Sequence, residues 1–264
     1  MFQTIRRCLG LLALCFALSV QAQDFESLKR AAERGDVLAQ NNLGMAYHLG
    51  QGVPKNNAEA IKWLRKAAEQ GYAFAQSNLG SMYRDGTGVP RDDKEAVAWY
   101  RKAVEQGNAD AQKNLGWMYG QGRGVPRDDD AAVALFRKAI EQGNAGAQNN
   151  LGWMHKEGRG VPQDDKAAVA WYRKAAEQGS DAAQNNLGWM YEQGRGVPRD
   201  DKEAIAWYRK AAEQELAEAQ YNIGVMYRDG RGVPRDEKEA VAWFRKAAAQ
   251  GEEHAIKALK ELGK

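Results

Sequence analysis

Thirty-six residues separate each Leu-Gly pair of this chain from the next: Leu43-Gly44, Leu79-Gly80, Leu115-Gly116, Leu151-Gly152 and Leu187-Gly188, then Ile223-Gly224 in the same register. The six prolines keep the same step. Pro54, Pro90, Pro126, Pro162, Pro198 and Pro234 each follow Gly-Val. From Ala39 to His254 the period runs through 216 residues without an insertion. A fixed period of this length means that one supersecondary unit is stacked many times, each copy burying its apolar face against its neighbours.

One unit shows which element repeats. Residues 183–194 place Ala183, Leu187, Gly188 and Tyr191 on one helical stripe. Gly194-Arg195-Gly196-Val197-Pro198 then breaks the helix, because glycine tolerates positive φ and proline removes a donor. Asp200 is placed as an N-cap, with Glu203 three residues on as the second half of a capping box. Asn56/Glu59, Asp92/Glu95 and Asp236/Glu239 repeat the arrangement. The second helix carries Ala204, Ile205, Tyr208, Ala211 and Ala212 on one face. Its end is marked by glycine at Gly71, Gly107, Gly143 and Gly179, the usual left-handed terminator. Glu215 stands in that column after the fifth unit, so the spacing predicts a weak junction there.

Alanine four residues before a bulky side chain (Ala96/Tyr100, Ala132/Phe136, Ala204/Tyr208) predicts closely approaching, interdigitated helices. The L-G-x-x-Y and A-x3-F columns are similar to the tetratricopeptide pattern, with a longer period and a Gly-Val-Pro loop. With those features the units resemble Sel1-like repeats over residues 39–254. The fold class expected is all-α, a right-handed α-solenoid of helix-turn-helix Sel1-like, TPR-like repeats. Six units are framed as 39–74, 75–110, 111–146, 147–182, 183–218 and 219–254. Residues 23–38 read as an N-terminal capping half-repeat and 255–264 as a C-terminal capping helix.

Residues 1–22 follow different rules. Arg6 and Arg7 precede an apolar run from Cys8 to Val20, and Val20-Gln21-Ala22 offers small residues for cleavage. This reads as a secretory signal peptide, since the apolar run is too short to span a bilayer. Both cysteines, Cys8 and Cys15, leave with it, so disulfide and thiol chemistry leave too. Without Arg6 and Arg7 the chain has 36 basic against 35 acidic residues, a poor balance for binding a phosphate backbone. No nucleic acid partner and no stable membrane insertion after signal cleavage are expected; the location expected is the periplasm, the cell surface or the medium.

Catalytic chemistry finds little support. His48, His155 and His254 match no metal-binding spacing, and Asp128-Asp129-Asp130 falls where other units cap a helix. Gly-x-Gly follows a helix rather than a strand, so no nucleotide or other cofactor is expected. The resemblance includes a cysteine-rich branch associated with penicillin binding and β-lactam hydrolysis. This chain departs from it: no repeat carries a cysteine pair, and Ser27, Ser77, Ser81 and Ser180 have no lysine three residues on. A cell-wall or β-lactam hydrolase therefore stands as the alternative, behind a non-enzymatic reading.

Six Arg-Lys pairs, from Arg65-Lys66 to Arg245-Lys246, form a periodic basic stripe, either a patch for an anionic partner or a solvated face balanced by nearby glutamates. Positions that vary over the fixed scaffold are more informative. By analogy with tetratricopeptide arrays, three first-helix columns would line a concave groove. The partner-binding candidates in them are Trp117, Trp153 and Trp189, with Lys113, Asn149, Asn185 and Tyr221. The three tryptophans form either an exposed aromatic ladder or wedges between adjacent repeats. Trp63, Trp99, Trp171, Trp207 and Trp243 recur on the second helix and read as packing. The resemblance implies an exported adaptor that binds a protein or peptide partner, an envelope or host-cell protein.

Overall fold

Alternating helix stripes and glycine-rich breaks leave the chain one regular option, a succession of short helices. The computed structural model describes residues 24–263, which are helical with no strand among them. The leader expected at residues 1–22, with Cys8 and Cys15, lies outside the described residues. A first helix, α1, covers 24–33. It is followed by α2 (Val37–Leu49), α3 (Asn57–Glu69), α4 (Ala73–Asp85), α5 (Asp93–Glu105) and α6 (Ala109–Gln121). Then come α7 (Asp129–Glu141), α8 (Ala145–Glu157), α9 (Asp165–Glu177) and α10 (Asp181–Gln193), and finally α11 (Asp201–Glu213), α12 (Ala217–Asp229), α13 (Glu237–Ala249) and α14 (Glu253–Glu261). The chain divides between Arg127 and Asp128 into two units. In the first, α1 to α6 pack in chain order; in the second, α7 to α14 do the same. Each unit is thus a run of α-solenoid helix pairs, in which an element meets mainly its neighbours.

Helix ends follow from the break residues. First helices stop at a left-handed glycine, as at Gly194 (φ 64°). Second helices begin at an extended Asn or Asp: Asp92 accepts from Lys94 N and Glu95 N, and Asp200 from Lys202 N and Glu203 N. Only half of the expected capping box forms. The N-cap's own N–H donates to the preceding first helix, Asp92 N to Tyr83 O (2.9 Å) and Asp200 N to Tyr191 O (3.0 Å). Glu95, released from that task, accepts from Trp99 Nε1 at 2.9 Å. That contact lies within α5, whereas the bond from the Asp92 N–H to Tyr83 O ties the start of the second helix to the first.

Close approach within a pair is set by the glycine of the Leu-Gly column. A Cβ on Gly188 would lie 2.8 Å from the Tyr208 ring and 3.1 Å from Ala204 O, and Gly80 meets Tyr100 and Ala96 O in the same way. The alanines of the sequence pattern are fully buried beside it, but glycine is the residue the ring rests on. Tyr100, Tyr172, Tyr208 and Phe244 are in consequence among the largest buried side chains.

Candidate interaction surface

Trp117, Trp153 and Trp189 stand one turn inside α6, α8 and α10, directly after the glycine of each pair, and all three are half-buried. In the second unit, Trp153 and Trp189 pack one face against the cluster of Ala168, Tyr172 and Leu187; Trp189 also reaches the next cluster, around Tyr208. Their other faces are not bare. Arg159 lies 4.7 Å from the Trp153 ring centroid and Arg195 5.4 Å from that of Trp189, with Lys156 over Trp189 at 4.8 Å. In the first unit, Arg123 covers Trp117 at 4.9 Å. Trp153 and Trp189 thus both pack against the core and lie beside a cation, and Trp117 lies beside Arg123.

The covering arginines come from the Gly-Arg-Gly loop and are themselves held. Arg123 donates to both oxygens of Asp93 (2.5 and 3.0 Å), Arg159 to those of Asp129 (2.5 and 3.3 Å), and Arg195 to those of Asp165 (2.6 and 2.9 Å). Each carboxylate belongs to the second helix one repeat earlier. Arg123, and Arg91 beside it, hold the Asp93 carboxyl down to about 2. Where Val225 replaces tryptophan, the arginine turns elsewhere: Arg231 pairs with Glu192 at 2.5 Å, and Tyr208 Oη donates to the same carboxylate at 2.6 Å. These clasps went unnoticed in the sequence, although arginine of the loop and tryptophan of the helix occur together in three units.

Beside the ladder runs a polar seam. Asn149 accepts from Asn186 Nδ2 at 2.9 Å and Asn185 from Asn222 Nδ2 at 3.0 Å; Asn185 is only 3% exposed. Both amides thus join successive repeats. Lys113 is half-buried, with Asp110 at 3.7 Å, and Tyr221 lies between the rings of Phe244 and His254, each centroid 5.7 Å away. A second seam was also missed: the glutamine that follows alanine early in each first helix. Gln184 is buried, donates to Ala176 O at 3.1 Å and accepts from Gln214 Nε2 at 2.9 Å, and Gln76 is placed likewise between Ala68 O and Gln106. An amide recurring at a buried stripe position was the available signal.

The basic stripe is largely occupied by the protein itself. Lys102 lies 4.1 Å from the Trp99 ring centroid and Lys210 3.9 Å from that of Trp207, on the same helix. Arg101 donates to Tyr119 Oη at 3.0 Å and Arg209 to Tyr227 Oη at 2.9 Å, tying each second helix to the next first helix. Trp63 and Trp99 are buried, and the other second-helix tryptophans half-buried. His155 takes the tyrosine column, and its Nδ1 is buried without a hydrogen bond.

Among the described residues no group of His, Cys, Asp or Glu could hold a metal ion, and no helix is long and apolar enough to cross a membrane. Burial pushes the Tyr100 and Tyr208 hydroxyls up, and arginine partners pull Asp85 and Asp229 down.

Comparison with known proteins gives the scaffold its relatives. The Sel1 repeat family matches at 37–72, 73–108, 109–144, 145–180, 181–216 and 217–252, each unit beginning two residues before the frame drawn from the sequence. A protective antigen present in uropathogenic Escherichia coli strains, displaying an SLR fold, is 42% identical with a TM-score of 0.68. The match covers 90% of this chain but 52% of the antigen, so this chain spans about half of that relative's length. A Sel1 repeat protein from Oxalobacter formigenes is 33% identical, with a TM-score of 0.75 over 86% of this chain and 96% of its own. An immunity protein from Pseudomonas aeruginosa, 23% identical over 75% of each chain with a TM-score of 0.53, shares the fold. No curated protein matches the chain. Repeats of this kind form scaffolds suited to protein–protein interaction. With the family's repeat matched over 216 residues and two solved relatives above 30% identity, the chain belongs to the Sel1 repeat family.

Proposed function

We propose that this chain is an exported adaptor that binds a protein or peptide segment on its first-helix face and performs no chemistry of its own. The observation that carries the reading is the clasped tryptophan ladder. Trp117, Trp153 and Trp189 vary in type from their counterparts Met45, Ser81 and Val225, while everything that holds them is regular. An indole pinned between a packed core and an arginine, itself anchored to a carboxylate, loses little freedom when a partner covers it. Preorganisation of that kind favours affinity. Lys113 in the first unit and Asn149 in the second each stand one turn before the tryptophan of their own helix, and Tyr221 takes the same column in α12; Asn185, being buried, supports the surface from beneath. Export rests on the leader-like residues 1–22, and the likeness to a protective antigen agrees with exposure at the envelope or to host cells.

Trp153→Ala tests the reading. Loss of a half-buried indole should cost about 2 kcal/mol of stability, less than the ~3–5 kcal/mol of a fully buried one, and leave the protein folded. Immobilised wild type should retain a discrete partner from envelope or host-cell extracts. The folded variant should bind that partner about tenfold or more weakly, a hot-spot effect. Equal capture by both proteins would refute the reading.

A further inference from the structure

In the first unit α3 packs between the first helices α2 and α4, and α5 between α4 and α6. The helix α1 carries the second-helix pattern, with Leu28 in the column of Leu64 and Tyr100, but among the described residues no first helix precedes it. An open groove of about 330 Å³ lies there, lined by Asp24, Phe25 and Leu28 of α1 and by Asn42 and Ala46 of α2. The asparagine column identifies it as a first-helix seat. Asn78, one period after Asn42, donates to Asn41 Oδ1 of the preceding first helix at 3.2 Å, whereas Asn42 is exposed.

The wall beside this seat is apolar where later repeats are not. Leu38, Asn42, Met45 and Leu49 fall on one stripe of α2. Leu38 and Leu49 are 53% and 54% exposed, and Phe25 and Leu28 are half-buried. In later repeats the Leu49 column holds Asp85, Gln121, Glu157, Gln193 and Asp229. The Leu38 column keeps Phe74 and then turns to Asp110, Gly146, Ala182 and Glu218. Apolar surface gathered in this way calls for a cover. The chain outside the described residues supplies one, the apolar run from Cys8 to Val20. Only Gln21, Ala22 and Gln23 separate that run from Asp24 in the groove, a reach of about 10 Å when extended. So short a tether holds the run at high effective concentration over the seat. The stripe from Leu38 to Leu49 measures about 16 Å along the helix, a distance the run is long enough to follow.

We propose that in the uncleaved chain the run Cys8–Val20 occupies this seat, covering Leu28, Leu38 and Leu49, and that removal of residues 1–22 opens it. Docking rests on the groove; the opening rests on the export reading, and the test separates the two. Cys8 and Cys15 are the only cysteines of the chain, so thiol labelling of the uncleaved protein reads this run alone. A maleimide should label Cys15 at least tenfold more slowly in the folded full chain than in urea, at a rate independent of protein concentration. Leu38→Asp with Leu49→Asp, both at exposed positions, should restore fast labelling in a folded protein. Labelling of the folded wild type as fast as in urea would overturn the docking. Slow labelling that fades on dilution would assign the cover to a second copy and overturn it as well. Slow labelling unchanged in the folded double variant would overturn the seat. Slow labelling together with an exported protein that keeps residues 1–22 would uphold the docking and refute the opening.

Discussion

Glu215 is the one non-glycine residue with positive φ among the described residues, at 65°. Its counterparts Gly71, Gly107, Gly143, Gly179 and Gly251 adopt φ between 79° and 91°. A side chain in that region costs about 1–2 kcal/mol, and the next residue aggravates the junction: Leu216 is an N-cap that offers no side-chain hydrogen bond. Glycine would also widen the unfolded ensemble, by roughly 0.4–1 kcal/mol, which offsets part of the gain. Glu215→Gly should therefore stabilise by up to about 1 kcal/mol in a denaturant melt, and a clear loss would contradict the strain. The left-handed conformation of Glu215 was legible in the sequence because a single column broke rank. Packing around Gly188 was only partly legible: the small residue under the ring is identified by its distance to Tyr208, which no periodicity supplies.

At the scale of elements, arginine clasps join one repeat to the next and glutamine bridges join the two helices of one repeat, by bonds whose two ends lie far apart in the chain. The helices and the Asn or Asp N-caps of the second helices were readable from local patterns, whereas the reciprocal half of the capping box is replaced by a bond from the N-cap N–H to the first helix. The clasps and glutamine bridges were not readable, because Arg123 and Asp93, or Gln214 and Gln184, are 30 residues apart and meet only once the stacking is known. The basic stripe stays exposed, as its sequence suggests, but no local pattern shows that Lys102 also lies over Trp99 and that Arg101 donates to Tyr119. A pH dependence follows for the clasp. Arg123 depresses the Asp93 carboxyl from 3.8 to about 2, so its contribution is complete above 3.8 and is lost as pH falls through about 2. Asp93→Asn should melt below wild type at neutral pH, and the gap should close near pH 2. A gap unchanged at that pH would show that Asp93 acts other than as a charge.

On the scale of the whole chain, a family scaffold is held constant while the first-helix face changes from repeat to repeat. Repeats one and two carry Met45 and Ser81 in the tryptophan column, repeats three to five a clasped tryptophan, and repeat six Val225. The second-helix face does the reverse, keeping tryptophan, arginine and lysine nearly unchanged and using them internally. If recognition belongs to the varied face, a captured partner should leave its footprint there. Hydrogen exchange of the full chain, with and without that partner, measures it directly. The account predicts slowed exchange concentrated in the first helices α4, α6, α8 and α10, with α5, α9 and α11 little altered. Protection centred on the second helices instead would contradict it.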